Sequence, residues 1–342
     1  MRYAFGAGFE VPAGYLNTPS VGIPADRVAE AVERAVARWR SGADRPPDFD
    51  AAVAASREGF AELTGVPAER VAIGASVSQV IASVAAGVPD GGSVLLARGD
   101  FTSVGFPFAA QAGRGVTVTE VPLAELPDRV AGHDLVAVSV VQSADGALVD
   151  LPALRAAAES AGVPVLLDAT QAAGWLPLWL GWADWVVAAG YKWLLCPRGA
   201  AWLAVHPRVL QRTLPVSANW YAGEDPWQTV YGLPLRLAEG ARRFDLSPVW
   251  LAQVGAAVAL PYLASLDRDE VHAHCTGLAD LLLERLGLPP RGSAIVSLDR
   301  PGAAGRLAAA GVVASTRAGR ARIGFHLYNT TAEVDAVLAA LT

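Results

Sequence analysis

Cationic side chains other than arginine are almost missing from this chain of 342 residues. Lysine occurs once, at Lys192, so arginine supplies the other 26 of the 27 basic residues. A codon bias toward arginine explains this exchange wherever only a positive charge is needed. Arginine does not lose its proton and attack a carbonyl to form a Schiff base, however, whereas a desolvated lysine does. The count alone leaves chance and chemistry equally open as reasons for the one lysine, so its neighbours in the sequence must decide.

Cysteine is also scarce, since only Cys196 and Cys275 occur and neither lies in a CxxC or Cys/His metal spacing. This excludes a disulfide framework, predicts no metal site and favours a reducing cytoplasm. The opening MRYAFGAGFEVPAG contains an acid and a proline where a signal peptide needs an uninterrupted apolar region, so no targeting segment is expected.

Blocks of positive charge and membrane-length apolar runs are missing as well. The 27 basic and 33 acidic residues give a net charge of -6, and no Lys/Arg-rich block predicts a nucleic-acid partner. The most apolar stretch, Val163 to Leu195, is interrupted by Asp168, Asp184 and Lys192, which is typical of buried strands and not of a membrane span. A hydrophobic content of 53% excludes disorder, and the length predicts about two domains.

Short apolar runs alternate with helical segments through the first two thirds of the chain. The runs are VAIG (71–74), SVLLA (93–97), VTVTEV (116–121), LVAVSVV (135–141), VPVLLD (163–168), DWVVAAG (184–190) and AAWLAV (200–205). Their nearly continuous hydrophobicity indicates strands that are covered on both faces. The alternation predicts an α/β fold with a mostly parallel, doubly wound sheet of seven strands between helices.

The pattern changes after about residue 207. A loop rich in Trp, Tyr, Pro and Gly (215–234) precedes helical segments from Pro248 to Leu286, and SAIVSLD, VVAST and ARIGFHL then read as strands with two helices. We therefore predict a large domain over 1–245 and a smaller α+β domain over 246–342.

Polar and aromatic residues follow the predicted strands, at the sheet edge where an open parallel sheet binds its ligands. The helix opened by Ala75, Ser76 and Val77 offers free amides and a hydroxyl to a phosphate, although a serine at this position, taken alone, is more often an ordinary helix cap. Phe101 is placed to stack on a planar ring, although an isolated aromatic is more often a core residue. Gln142 and Ser143 follow the next strand and are able to hydrogen-bond a ring hydroxyl.

A carboxylate and the single lysine end two further strands. Asp168 follows five apolar positions, where it needs a cationic partner such as a pyridinium nitrogen, unless it caps the following helix. Gln171 lies three residues further on, and DWVVAAG delivers Tyr191 and Lys192 to the same edge. A phosphate site, a stacking ring, an acid for a ring nitrogen and a Schiff-base lysine are together the requirements of pyridoxal phosphate.

The segments VLLDATQAAGWLPL and ADWVVAAGYKWLLCPRGAAWLAV resemble the class V aminotransferase superfamily of fold-type I pyridoxal phosphate enzymes, in its cysteine desulfurase, kynureninase and isopenicillin N epimerase branch. The resemblance runs from YLNTPSVGIP (15–24) through RFDLSPVW (243–250) to RIGFHLYNTTAEVDAVL (322–338). It implies pyridoxal 5'-phosphate as cofactor, an amino-acid substrate and a homodimer with the active site near the interface.

The resemblance also implies individual roles. Lys192 matches the internal-aldimine lysine, and Arg322 matches the arginine that holds the substrate α-carboxylate, with Arg317 and Arg320 as nearby competitors. The positions matched to cofactor binding are Ala75, Ser76, Val77, Phe101, Gln142, Ser143, Asp168, Gln171 and Tyr191, with Ser247 and Trp250 reaching a neighbouring subunit's cofactor. The positions matched to substrate binding are Asn17, Trp220 and Tyr221, and the last two equally suit a dimer interface.

The departures from the family pattern narrow the reaction. Desulfurases need a nucleophilic cysteine on a mobile loop ahead of the carboxylate arginine, but VASTRAGRAR (313–322) is short and contains none. We therefore predict a β-eliminating carbon-sulfur lyase without a persulfide cysteine, of which hercynylcysteine sulfoxide lyase is one similar example. Transamination, kynureninase-like hydrolysis and epimerisation stay open. A non-catalytic sensor scaffold stays as a remote alternative, whereas AIGASVSQV lacks the GxGxxG of a dinucleotide-binding oxidoreductase.

Overall fold

A computed structural model describes residues 1–341. The helices are α1 (Asp26–Ser41), α2 (Asp50–Thr64), α3 (Val77–Ala86), α4 (Thr102–Ala109), α5 (Leu151–Ala161), α6 (Trp250–Ala264), α7 (Arg268–Arg285), α8 (Ala303–Ala309) and α9 (Thr331–Leu341). The strands are β1 (Arg2–Ala4), β2 (Ala7–Phe9), β3 (Val71–Gly74), β4 (Ser93–Ala97), β5 (Thr117–Val121), β6 (Leu135–Ser139), β7 (Val165–Asp168), β8 (Trp185–Ala189), β9 (Ala201–Val205), β10 (Ile295–Leu298), β11 (Ser315–Arg317) and β12 (Arg320–Gly324).

Seven strands form one sheet in the order β3-β9-β8-β7-β6-β4-β5, which confirms the predicted α/β class and the predicted strands. All neighbouring pairs are parallel except the two that involve β9. A parallel crossover needs a dozen or more residues, usually with a helix. The connection from β8 to β9 contains no helix, so β9 turns back along β8. This short connection carries the single lysine.

Both faces of the sheet are buried. Ile73, Leu95 and Val136 belong to the core on one face, whereas Ala72 and Leu96 belong to the core on the other. Because neighbouring residues in a strand point to opposite faces, a strand covered on both sides shows an unbroken apolar run. The packing therefore explains why these runs were legible in the sequence.

The C-terminal part has its own three-stranded antiparallel sheet, in the order β10-β12-β11. Its core includes Leu282, Phe325 and Val337, together with Leu16 from the N-terminal segment. The backbone of Leu16 bonds to both Val313 and Gly324, at 2.9 Å each, and so ties that segment to β12. The α6 helix packs on α1 and α2, and the division at 245/246 stays a prediction. No helix between residues 1 and 341 is long and apolar enough to cross a membrane.

Candidate active site

The single lysine lies in the loop that follows β8. Its side chain is 5% exposed, and its Nζ forms no hydrogen bond or ion pair with the described residues. The Nζ lies 5.1 Å from the centre of the Phe101 ring. Burial lowers the pKa of Lys192 to about 8, since an ammonium is poorly solvated there. The Asp168 charge opposes this shift, and three positive side chains add to it, those of Arg322, Arg317 and Arg198.

Glycines from two other segments fix the backbone that carries this lysine. The Gly22 amide donates to the Tyr191 carbonyl at 2.9 Å, and any side chain at Gly22 would overlap the Lys192 carbonyl. Gly174 has φ +106°, and a Cβ there would lie 2.5 Å from the Trp193 carbonyl oxygen. The loop is therefore held from both sides by chain that only glycine allows so near.

Asp168 ends β7, the strand next to β8, and is buried. Its Oδ1 accepts hydrogen bonds from the backbone N–H of Thr170, at 2.8 Å, and from the Thr170 hydroxyl. Its Oδ2 accepts none from residues 1–341. Burial raises the pKa of Asp168 to about 6, and the bonds from Thr170 lower it in part. A cationic N–H donor at Oδ2 would stabilise the ionised carboxylate, which is what a pyridinium nitrogen offers.

A cavity of about 340 Å³ lies between these strand ends and the start of α3. The Ser76 hydroxyl accepts from the Gln79 amide at 3.4 Å, so Ser76 is the N-cap of α3. The amides of Val77 and Ser78 have no partner among the described residues, and both residues line the cavity. Unpaired first-turn amides and the helix dipole bind anions. The cap and the phosphate interpretations of Ser76 therefore hold together.

Asp100 positions the aromatic side of this cavity. Its carboxylate accepts from the Ser139 amide at 2.7 Å, from the Gln142 side chain at 3.2 Å and from the Phe101 amide at 2.6 Å. These bonds tie the start of α4 to the end of β6. Phe101 is 42% exposed and borders both this cavity and a larger one.

Arg322 is a buried cation, 1% exposed, and forms no ion pair with an acidic side chain of residues 1–341. Its guanidinium donates to the Ser143 carbonyl at 2.6 Å, to the Ser20 hydroxyl at 2.8 Å and to the Ser315 hydroxyl at 3.1 Å. Burial lowers the pKa of Arg322 to about 10. A buried guanidinium held only by neutral oxygens favours an anion, and its planar fork suits a carboxylate.

Gln171 connects the lysine loop to Ser143. Its Oε1 accepts from the Trp193 indole N–H at 2.7 Å, and its Nε2 donates to the Ser143 hydroxyl and the Pro19 carbonyl, both at 3.1 Å. His326 reaches the Trp193 carbonyl with its Nε2 at 2.9 Å. The residue beside Lys192 is thus fixed at its ring and at its backbone.

Ten of the predicted site residues meet at this place. Nine line the smaller cavity: Ala75, Ser76, Val77, Phe101, Ser143, Asp168, Gln171, Tyr191 and Lys192. Arg322 lines the larger cavity. Arg317, its competitor for the carboxylate, lies at the exposed border of that cavity, and Arg320 pairs with Asp299 at 3.0 Å on the surface.

Six predicted site residues lie outside both cavities of the single chain: Asn17, Gln142, Trp220, Tyr221, Ser247 and Trp250. Tyr221 donates to Asp50 at 2.9 Å, and the Trp250 ring stacks on Phe49 at 4.9 Å. Their roles in binding stay predictions.

Sequence reasoning missed four residues that complete the site: Asp100, Thr170, Ser20 and Arg198. Asp100 directly precedes Phe101, and Thr170 lies two residues after Asp168, so both stood beside residues that were noticed. Arg198 borders both cavities and lies 4.9 Å over the Tyr191 ring, a placement for which the sequence holds no signal.

These side chains fit pyridoxal phosphate. The unpaired Oδ2 of Asp168 can accept a hydrogen bond from the ring nitrogen of the cofactor. The free amides of α3 can bind its phosphate, and the unbonded Lys192 amine can form a Schiff base with its aldehyde. A model of the class-V aminotransferases matches residues 26–305. The chain belongs to this family. It is a pyridoxal phosphate enzyme, and the family acts on amino acids.

The class-V relatives include an uncharacterized aminotransferase of Bacillus subtilis, 28% identical in an alignment of 302 positions that covers 82% of this chain and 80% of that protein. Isopenicillin N epimerase of Streptomyces clavuligerus is 27% identical in an alignment of 341 positions that covers 90% of this chain and 83% of the epimerase. A solved structure of a cystine C-S lyase in complex with cysteine persulfide has the same fold, with a TM-score of 0.86 and 22% identity over 96% of this chain and 97% of the lyase.

The shifted pKa of the class-V lysine predicts how the apo-protein takes up its cofactor. Only the neutral amine attacks an aldehyde. We expect the rate of covalent attachment of pyridoxal phosphate to rise about tenfold per pH unit below pH 8 and to level off above it, since Lys192 has a pKa of about 8. Stopped-flow absorbance from pH 6.5 to 10 measures this. A rate that keeps rising up to pH 10 would contradict the lowered pKa.

Two arginine variants serve as controls for that profile. Arg317→Ala removes a charge that disfavours the ammonium, so its midpoint moves to higher pH. Arg320→Ala removes an exposed charge that pairs with Asp299, and its midpoint stays in place.

Proposed function

We propose that the chain is a carbon-sulfur lyase that removes a sulfur group from the β-carbon of an amino acid without a cysteine nucleophile. The observation that carries the proposal is the lack of any thiol placed to accept sulfur. The turn from β11 to β12, just ahead of Arg322, contains no cysteine. Cys275 is fully buried in α7.

Cys196 borders the larger cavity, but it is poorly suited to nucleophilic attack. Its side chain is 6% exposed, and its thiol donates to the Leu194 carbonyl at 3.1 Å. Burial raises the pKa of both thiols well above the ordinary value, so the nucleophilic thiolate is strongly disfavoured. A reaction in which the sulfur leaves as a free thiolate needs no such group.

In this reaction the residues of the candidate site have defined tasks. Bound pyridoxal phosphate supplies the electron sink at the substrate α-carbon. Arg322 holds the α-carboxylate, Lys192 takes the α-proton with its neutral amine, and Asp168 keeps the proton on the ring nitrogen. Phe101, which lines the cavity, would stack on the planar ring of the cofactor.

The overall change balances with water as the co-reactant. The bond between the β-carbon and sulfur breaks, the sulfur leaves with the electron pair and takes up a proton as a thiol, and the released 2-aminoacrylate hydrolyses to pyruvate and ammonium. One base suffices for these steps. Of the residues lining the two cavities none is a histidine, and Glu33 on the exposed face of α1 is the one carboxylate besides Asp168. This composition favours a one-base elimination over an exchange between two bases on opposite sides of the α-carbon.

The test measures pyruvate, ammonium and thiol from S-substituted cysteines with the holoenzyme. We expect the three products in equal amounts, and we expect the double variant Cys196→Ala/Cys275→Ala to keep kcat within about twofold, because neither thiol takes part. Persulfide on either cysteine, detected by alkylation and mass spectrometry, would overturn the proposal in favour of a desulfurase.

Two further readouts separate the other class-V reactions. Keto-acid-dependent amino transfer without pyruvate would identify an aminotransferase, as the Bacillus subtilis relative is named. Loss of optical rotation without net product would identify an epimerase. We also propose a homodimer, in which the exposed apolar side chains of Tyr231, Leu233 and Leu235 are covered.

A further inference from the structure

The larger cavity, of about 660 Å³, extends from the lysine toward α1. Its inner end holds Lys192, Arg322 and Ser143, and it shares Phe101 with the smaller cavity. Its volume lies in the range of small-molecule pockets. The polar groups that would fix an amino acid are gathered at this inner end, so they also set the direction in which its side chain leaves.

The opposite wall of this cavity is aliphatic. The α1 helix contributes Val28, Ala29 and Val32, and Pro24 lies just before it. Val28 and Val32 are one turn apart and face the same way. Ala29 is half-buried, and its small side chain leaves the space open. Glu33 is the charged residue of α1 that borders the cavity, and it lies on the exposed side.

A substrate held by Arg322 and Lys192 directs its side chain past the β-carbon toward this wall. Val28 is already buried, at 1% exposure, but a hydrogen or a methyl group beyond the β-carbon leaves the half-buried Ala29 and Val32 in contact with water. A larger apolar group displaces that water, and binding gains from the apolar area removed from solvent.

We propose that the substrate is an S-substituted cysteine whose substituent is large and apolar and packs on Ala29 and Val32. The sulfur in this statement rests on the proposed lyase function. The size and the apolar character of the side chain rest on the cavity alone, so the two parts are tested separately.

Binding is measured first with a pair of amino acids that have no leaving group. L-homophenylalanine and L-2-aminobutyrate are titrated into the holoenzyme while the cofactor absorbance is followed. We expect the dissociation constant of L-homophenylalanine to be lower by about tenfold or more, since each buried methylene gives about fourfold. Equal dissociation constants would overturn the proposed pocket.

Variants on α1 locate the contact. Ala29→Phe fills the space, so L-homophenylalanine binds about tenfold more weakly while L-2-aminobutyrate changes by less than about twofold. Val32→Thr leaves the volume nearly unchanged but replaces one methyl group by a hydroxyl, and it weakens L-homophenylalanine alone by about fourfold. Ala37→Phe, on the exposed face of the same helix, is the matched control and changes neither. An equal loss of both ligands in Ala29→Phe would contradict the assignment.

Turnover of S-benzyl-L-cysteine and S-methyl-L-cysteine completes the test. We expect kcat/KM to be about tenfold or more higher for the benzyl compound, with the preference lost in Ala29→Phe. If neither compound yields pyruvate while L-homophenylalanine still binds selectively, the lyase proposal fails and the apolar side-chain pocket stands. If both are cleaved with no preference and no effect of Ala29→Phe, the lyase stands and the pocket assignment fails.

Discussion

Replacement of Lys192 by alanine is expected to lower kcat by about 10³-fold or more for any substrate that the wild-type enzyme turns over, because the chain then lacks the amine that takes the α-proton. The 26 arginines do not give up their protons, and no histidine lines either cavity, so neither residue type replaces the amine. Steady-state kinetics measure the loss. Borohydride reduction followed by peptide mass spectrometry checks the attachment, because the pyridoxyl mass belongs on the wild-type peptide that contains Lys192.

Lys192→Arg is the matched control for this prediction. It keeps the positive charge but not the removable proton, so we expect it to be as inactive as the alanine variant. A variant of either kind that retains more than about a tenth of wild-type kcat would show that another group moves the proton. Failure of excess cofactor to modify Lys192 would instead point to the non-catalytic scaffold.

Replacement of Arg322 by alanine is expected to lower kcat/KM by about 10² to 10³-fold, the usual cost of truncating one partner of a buried, hydrogen-bonded charge pair. Arg322→Lys recovers only part of this loss, because an ammonium is a point charge and cannot grip a carboxylate with two parallel bonds. Initial rates over a range of substrate concentrations separate the effects on kcat and KM.

Arg320→Ala is the control, since Arg320 lies on the same strand but pairs with Asp299 on the surface. It is expected to change kcat/KM by less than about twofold. A substrate analogue without the α-carboxylate distinguishes a binding role from a structural role. If Arg322 holds the carboxylate, Arg322→Ala leaves the affinity for this analogue unchanged. A loss as large as that of the full substrate would assign Arg322 a structural role through Ser143, Ser20 and Ser315.

The sheet was predictable because nearly every residue along most of its strands is buried. Runs such as SVLLA and VPVLLD are apolar at every position, since both faces of the sheet are covered, and they ended within two residues of the observed strands. The rule that ligands bind beyond the carboxyl ends of parallel strands then placed Asp168, Lys192, Phe101 and Ser76 at one edge.

The remaining parts of the site depend on contacts between distant segments, which leave no local pattern. Ser20 meets Arg322 across 302 residues, and Asp100 meets Ser139 and Gln142 across about 40. Gln142 was read as a cofactor ligand because it follows a strand, but in the single chain its amide holds Asp100. Nothing in the spacing shows that α1 walls the larger cavity, because its valines also suit a helix that packs only on the core.

The glycine contacts at Gly22 and Gly174 determine what is free to move when a proton is carried. Because Gly22 and Gly174 pack closely against the backbone at Lys192 and Trp193, the loop has no space for a backbone displacement. The part that is free to move is the four-carbon side chain of the lysine. Rotations about the bonds of this arm then move the amine, and the movement costs side-chain rotamer freedom and not backbone order. Each atom that gives a proton to the amine or takes one from it has to lie within reach of this arm. A change of substrate specificity therefore has to come from the residues that wall the cavity, while the backbone of Lys192 stays in place.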